Sequence, residues 1–241
     1  MTKIAIQIYG QGTPMVLFHG WGFDSQIWHS VLPDLLTLPY QIYLVDLPGF
    51  GGSSEMDWDN FKLQLLANLP EQFIVGGWSL GGLFATRLAS EEPQRVLKLL
   101  QITSSPYFIQ TENWAGIMPE ILDDFYHQFM TAPQPTRQKF VQTQLPSGEV
   151  WEMPEQSDIN ISGLEDGLSV LKHWDLRDSL EHLSMPVAYL FGRLDRIVSH
   201  RVLDYLKLRY PQFNYTLLAR SGHMPFLSHR AAFIEWIREV A

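Results

Sequence analysis

Gly77-Trp78-Ser79-Leu80-Gly81-Gly82 is the stretch on which the fold turns. It follows an apolar run, Gln72 to Gly76, that predicts a buried strand, and it opens a stretch from Leu80 to Ser90 whose apolar spacing predicts a helix. A chain that passes from strand to helix across a single residue has little room. The glycines two before and two after Ser79 remove the Cβ atoms that would collide there. The Ser79 hydroxyl is thereby held clear of the sheet, which is what G-x-S-x-G between a strand and a helix does for a nucleophile. A serine that merely caps a Gly-rich turn is the alternative.

Strand and helix continue to alternate on both sides of this turn. Lys3 to Tyr9 alternates as a strand, Met15 to His19 is a short apolar run stopping at a Gly-rich turn, and together they predict a hairpin. Asp24 predicts a cap for a helix with Ile27, Trp28, Val31 and Leu32 on one face, and Gln41 to Asp46 reads as a buried strand ending at Pro48-Gly49. A helix from Asp59 to Leu69 and a strand from Val96 to Thr103 complete the first half. The alternation predicts a mostly parallel sheet covered by helices. It breaks at Ser104 and returns near Met185, with strands at Pro186 to Phe191 and Asn214 to Ala219 and a final helix from Ala231. The expected division is a core of residues 1–105 and 183–241 with a helical lid, 106–182, inserted between them. Pro119 suits the first position of a lid helix whose Leu122, Phe125, Tyr126 and Phe129 share one face. Those side chains either pack the lid onto the core or line an apolar pocket.

Composition narrows the chemistry. A chain of 241 residues, 46% hydrophobic and 18% charged, suits one large domain with a sizeable core. It has no cysteine, which excludes disulfides, thiolate metal sites and a cysteine nucleophile. The N-terminal MTKIAIQIYG lacks the apolar run of a secretory signal, and no segment approaches the roughly 18 apolar residues of a membrane span. A cytoplasmic, monomeric protein is expected. The formal net charge of −9, with no Lys/Arg cluster along the sequence, disfavours nucleic acid and anionic membranes as partners. There is no H-E-x-x-H, no Walker-type loop and no G-x-G-x-x-G opening a helix, so neither a metal nor a nucleotide cofactor is expected. Gly49-Phe50-Gly51-Gly52-Ser53 lacks the G-K-[ST] ending of a phosphate loop and reads as the turn after the Asp46 strand.

A serine hydroxyl needs a base to take its proton as it attacks. Of the eight histidines, His223 in Ser221-Gly222-His223 falls just after the predicted strand Asn214 to Ala219, where the base of a Ser…Asp…His order is presented. His229 lies at the start of the final helix and reads as a capping or packing residue. The orienting acid belongs between them at a strand's exit, which selects Asp195, after Val187 to Gly192. Asp175 and Asp178 flank Arg177 and read as ion-pair residues. His19-Gly20-Trp21-Gly22 follows the early strand where a second oxyanion donor is needed, so the backbone N–H groups of Trp21 and Leu80 are the candidate donors. His19 reads as a buttress of that loop.

Taken together, HGWG (His19 to Gly22), VDLPGFG (Val45 to Gly51), GWSLGG, Ser104-Ser105-Pro106, Trp114-Ala115-Gly116-Ile117, Asp175 to Arg177 and GHMPFLSH (Gly222 to His229) resemble the α/β-hydrolase superfamily over essentially the whole chain, and within it the pimeloyl-[acyl-carrier protein] methyl ester esterases of biotin synthesis. The resemblance implies an α/β-hydrolase fold with a helical lid. It implies a serine carboxylesterase whose triad is Ser79, Asp195 and His223, with Trp21 and Leu80 as oxyanion donors. It further implies substrate contacts from Trp21, Phe125, Lys139 and Phe140, and an acyl carrier protein as the partner bearing the substrate. The family holds that carrier with several lid arginines, yet residues 106–171 contain only Arg137 and Lys139 against ten Asp and Glu. A broad small-ester carboxylesterase, a carbon–carbon bond hydrolase, a menaquinone-pathway lyase and a non-catalytic binding module remain as alternatives. Haloalkane dehalogenases and epoxide hydrolases are disfavoured, because they place Asp where this chain has Ser79.

Overall fold

In the computed structural model, which describes residues 2–144 and 160–241, the chain begins with two strands that do not pair with each other. β1 (Ile6–Gly10) and β2 (Thr13–Phe18) both pair with β3 (Tyr40–Val45), β1 antiparallel and β2 parallel. The expected hairpin is therefore replaced by a crossing over one end of β3. Gly12 makes the crossing possible: its φ of +119° suits glycine, and a Cβ there would overlap the Pro39 carbonyl. The Thr13 N–H donates to that same carbonyl at 3.0 Å.

The predicted helix after Asp24 is also two pieces. Asp24 accepts from the Gln26 N–H as foreseen, but what it caps is a 3₁₀ turn, Ser25–Ser30. Pro33 then falls at the start of α1 (Leu32–Leu35), where a missing N–H is harmless, so one continuous helix gives way to two short ones. α2 (Trp58–Asn68), capped by Asp57, precedes β4 (Phe73–Trp78), and α3 (Leu80–Glu91) leads to β5 (Val96–Ile102). Between β5 and the next strand come α4 (Pro119–Thr131), α5 (Pro133–Gln144) and α6 (Ile161–His173). Residues 145–159 of the expected lid lie outside the described residues. β6 (Val187–Gly192), α7 (Val202–Arg209), β7 (Asn214–Leu218), α8 (Pro225–Ser228) and α9 (Arg230–Val240) complete the chain.

The seven strands form one sheet in the order β1-β3-β2-β4-β5-β6-β7, with every pairing parallel except β1 with β3. β4 lies at its centre and is buried throughout, with apolar layers on both faces. Loops leaving the carboxyl ends of β2, β4, β5, β6 and β7 thus gather at one edge, the place where open α/β sheets bind ligands. Among the described residues, no helix is long and apolar enough to cross a membrane.

Candidate active site

The turn at Ser79 is as tight as its sequence demands. Ser79 has φ 54° and ψ −119°, a conformation that costs a non-glycine residue on the order of 1–3 kcal/mol and persists because the flanking strand and helix enforce it. The Ser79 N–H donates to the Ile102 carbonyl at 3.1 Å, and the Ser104 hydroxyl donates to the Ser79 carbonyl at 2.7 Å. A Cβ on Gly77 would overlap the backbone of Gly81, where no side chain can rotate away. Gly77→Ala is accordingly expected to lower stability by about 2–4 kcal/mol, read as a shift in the urea midpoint, because the strain falls on backbone.

His223 is anchored from three sides. Its Nδ1 lies 2.8 Å from Asp195 Oδ2, with both side chains fully buried or nearly so. Its carbonyl accepts from the indole N–H of Trp78 and from the Thr103 hydroxyl, each at 2.8 Å. The residue before the nucleophile therefore holds the main chain of the candidate base. Asp195 is fixed in turn, since its Oδ1 accepts from the N–H groups of Ile197 (2.8 Å) and Val198 (2.9 Å). Nδ1–H donates to the carboxylate, so the free lone pair lies on Nε2. That atom is buried and has no hydrogen-bond partner among the described residues.

The loop after β2 packs against the start of α3. A Cβ on Gly81 would lie 2.6 Å from the carbonyl oxygens of Phe18 and His19. This close approach brings Trp21 and Leu80 to the same edge, and Leu80 as the first residue of α3 has no carbonyl four residues back within the helix for its N–H. His19 buttresses the loop, as expected. Its ring N–H at Nδ1 donates to the Gly20 carbonyl (2.8 Å) and Nε2 accepts from the Leu47 N–H (3.0 Å). Burial pushes its pKa below the ordinary histidine value, against the opposing pull of Asp46 and the Gly20 carbonyl, so the neutral ring is the form held.

Ser79 opens into a cavity of about 190 Å³ with mostly apolar walls, among them Trp21, Phe108, Leu122, Phe125, Phe140 and Leu168. Trp21 joins the inserted helices to the core. Its indole N–H donates to the Leu164 carbonyl (2.8 Å), and Phe125, Phe129 and Phe140 meet its ring edge-on at centroid distances of 5.2–5.4 Å. Such pairs each add roughly 0.5–1.5 kcal/mol beyond area burial. The apolar face of α4 thus serves both purposes weighed above: Phe129 is fully buried against Trp21, while Leu122 and Phe125 line the cavity. Tyr126 faces α6 instead and donates to Glu165 at 2.9 Å.

Other sequence candidates fall elsewhere. Lys139 is exposed on α5 and is not brought to the cavity, because the helix turns Phe140 inward and its neighbour outward; the cation in the wall is Arg196. Arg137 is buried, its guanidinium donating to the Gly22 carbonyl at 2.6 Å. Asp175 pairs with Arg177 at 2.5 Å and Asp178 with Arg209 at 2.6 Å, which removes both from the site. His229 stands before α9 with its side chain on Ser228. Thr103 and Ser104, which support His223 and Ser79, were not foreseen as supports. Thr103 adopts φ 41°, and no sequence signal announces a β-branched residue there. Among the described residues no group of three or more His, Asp or Glu is placed to hold a metal ion.

Residues 13–230 match the family model described as alpha/beta hydrolase fold. This chain belongs to that family. The hydrolase is 47% identical over 237 residues, covering 98% of both chains, to the pimeloyl-[acyl-carrier protein] methyl ester esterase of Legionella pneumophila (strain Corby). It is 36% identical over 250 residues to the protein of the same name from Aeromonas hydrophila, again covering 98% of each. Among solved structures, an esterase from Exiguobacterium antarcticum superposes with a TM-score of 0.87 at 22% identity, covering 99% of this hydrolase and 95% of that chain, a likeness of fold.

Proposed function

We propose that this chain is a serine carboxylesterase that hydrolyses the methyl ester of a pimeloyl group carried on acyl carrier protein, the substrate in the names of its full-length relatives. The observation that carries the catalytic reading is the buried His223–Asp195 pair, with Nε2 unpartnered, held by Trp78 next to a serine that opens into an apolar cavity.

The geometry supports acyl transfer to water in two steps. Ser79 Oγ attacks the ester carbonyl carbon while His223 Nε2 takes the hydroxyl proton. The carbonyl oxygen becomes an oxyanion, stabilised by the Trp21 and Leu80 N–H groups. Collapse expels methanol, which leaves with the proton from His223, and Ser79 remains acylated. Water then attacks the acyl-enzyme with His223 again as base, releasing the carboxylic acid and restoring Ser79. Asp195 keeps the proton on Nδ1 and stabilises the imidazolium without being protonated. Phe125 and Phe140 flank the acyl chain in the cavity. The enzyme works in this reading as a cytoplasmic monomer.

The test compares methanol release from carrier-bound pimeloyl methyl ester with that from free dimethyl pimelate at equal concentration. A strong preference for the carrier-bound ester is expected. Equal rates, or cleavage of the free ester alone, would replace the assignment with a general carboxylesterase.

A further inference from the structure

Counter-ions sort the arginines of this chain. Arg87, Arg177, Arg209, Arg230 and Arg238 each meet a carboxylate. Arg193, Arg196, Arg201 and Arg220 are exposed, and their guanidinium groups form no ion pair or hydrogen bond among the described residues. All four lie within residues 193–230, a segment with seven Lys and Arg against two Asp in a chain of formal net charge −9. One of those two aspartates is Asp195, buried against His223.

The fold brings three of these arginines to the sheet edge that carries the site. The Arg193 N–H donates to the Leu218 carbonyl (3.0 Å) and the Leu194 N–H to the Ser221 carbonyl (2.9 Å), so the loops leaving β6 and β7 are hydrogen-bonded side by side. Arg193 and Arg220 thus share the sheet edge that carries Ser79, and Arg196 reaches the wall of the cavity into which Ser79 opens. The sequence shows no cluster because 23 residues, including α7 and β7, lie between Arg196 and Arg220.

We infer that the loops leaving β6 and β7, through Arg193, Arg196 and Arg220, form the docking surface for the acidic carrier protein that delivers the ester. This rests on the function proposed above. It also answers the charge problem of residues 106–171, whose ten acidic residues against two cations repel such a partner. Continuity with the cavity favours an acidic protein bearing the substrate over another polyanion: a partner seated on this patch delivers its acyl arm directly toward Ser79.

The test uses Arg193→Glu/Arg220→Glu and Arg193→Lys/Arg220→Lys, all at exposed positions. The readout is the ratio of kcat/KM for carrier-bound pimeloyl methyl ester to that for free dimethyl pimelate, at low and high ionic strength. The Glu variant is expected to lower this ratio about 10- to 100-fold at low salt, chiefly through KM, and to lose the decline with salt shown by the wild type. The Lys variant, which keeps the charge, should retain most of the ratio. A Glu variant within about twofold of the wild type at both salts overturns the docking surface while leaving the esterase assignment intact. A wild type with no carrier preference overturns both.

Discussion

Replacing Ser79 with alanine is expected to lower kcat on any ester by about 10⁵- to 10⁶-fold, with substrate binding largely kept. The hydroxyl supplies the atom that bonds to the acyl carbon, and no neighbouring group can substitute: the Ser104 hydroxyl is committed to the Ser79 carbonyl at 2.7 Å, and that of Ser105 to the Tyr107 carbonyl at 2.6 Å. Alanine also relieves little of the strain at φ 54°, so the fold is expected to survive. Methanol release by purified variant, with circular dichroism to confirm folding, measures it. Activity above about 1% of wild type would remove Ser79 from the nucleophile's role.

Asp195→Asn is expected to cost about 10⁴-fold in kcat with almost no change of shape. The reason is directional. Asp195 Oδ1 accepts two backbone N–H groups, from Ile197 and Val198, so an asparagine must place its oxygen there and its NH₂ toward His223. That NH₂ donates to Nδ1 and forces the ring proton onto Nε2, the atom that must accept from Ser79. A carboxylate replaced by a group of the same size thus leaves a base with its lone pair on the wrong nitrogen. Single-turnover acylation, followed with an activated ester, reports the loss directly. A decrease of less than tenfold would show that Asp195 does not set the tautomer.

Ser79, Asp195 and His223 could be nominated as candidates from the sequence because each follows a strand of a regular alternation, and a parallel sheet delivers all its strand ends to one edge. The order of three residue types at three successive exits then carries positional meaning before any coordinate is known. Trp78, Thr103 and Ser104 show the limit of that reasoning. Their roles depend on hydrogen bonds across 145, 120 and 25 residues of sequence, and nothing local distinguishes them from ordinary buried side chains. Lys139 fails for a related reason: its neighbour Phe140 reaches the cavity, and a rotation of one residue along α5 decides which of them does.

Local chemistry by itself determined the Ser79 turn, the cap at Asp24, and the alternation of strand and helix. These rest on steric exclusion and hydrogen bonds between residues a few positions apart. Tertiary structure alone decided that β1 pairs with β3 instead of β2, that Trp21 joins the inserted helices to the core, and that the loops carrying Arg193 and Arg220 lie side by side at the sheet edge where Arg196 lines the cavity. Each of these is a contact between segments distant in sequence, chosen by which surfaces bury best against each other once the sheet has formed.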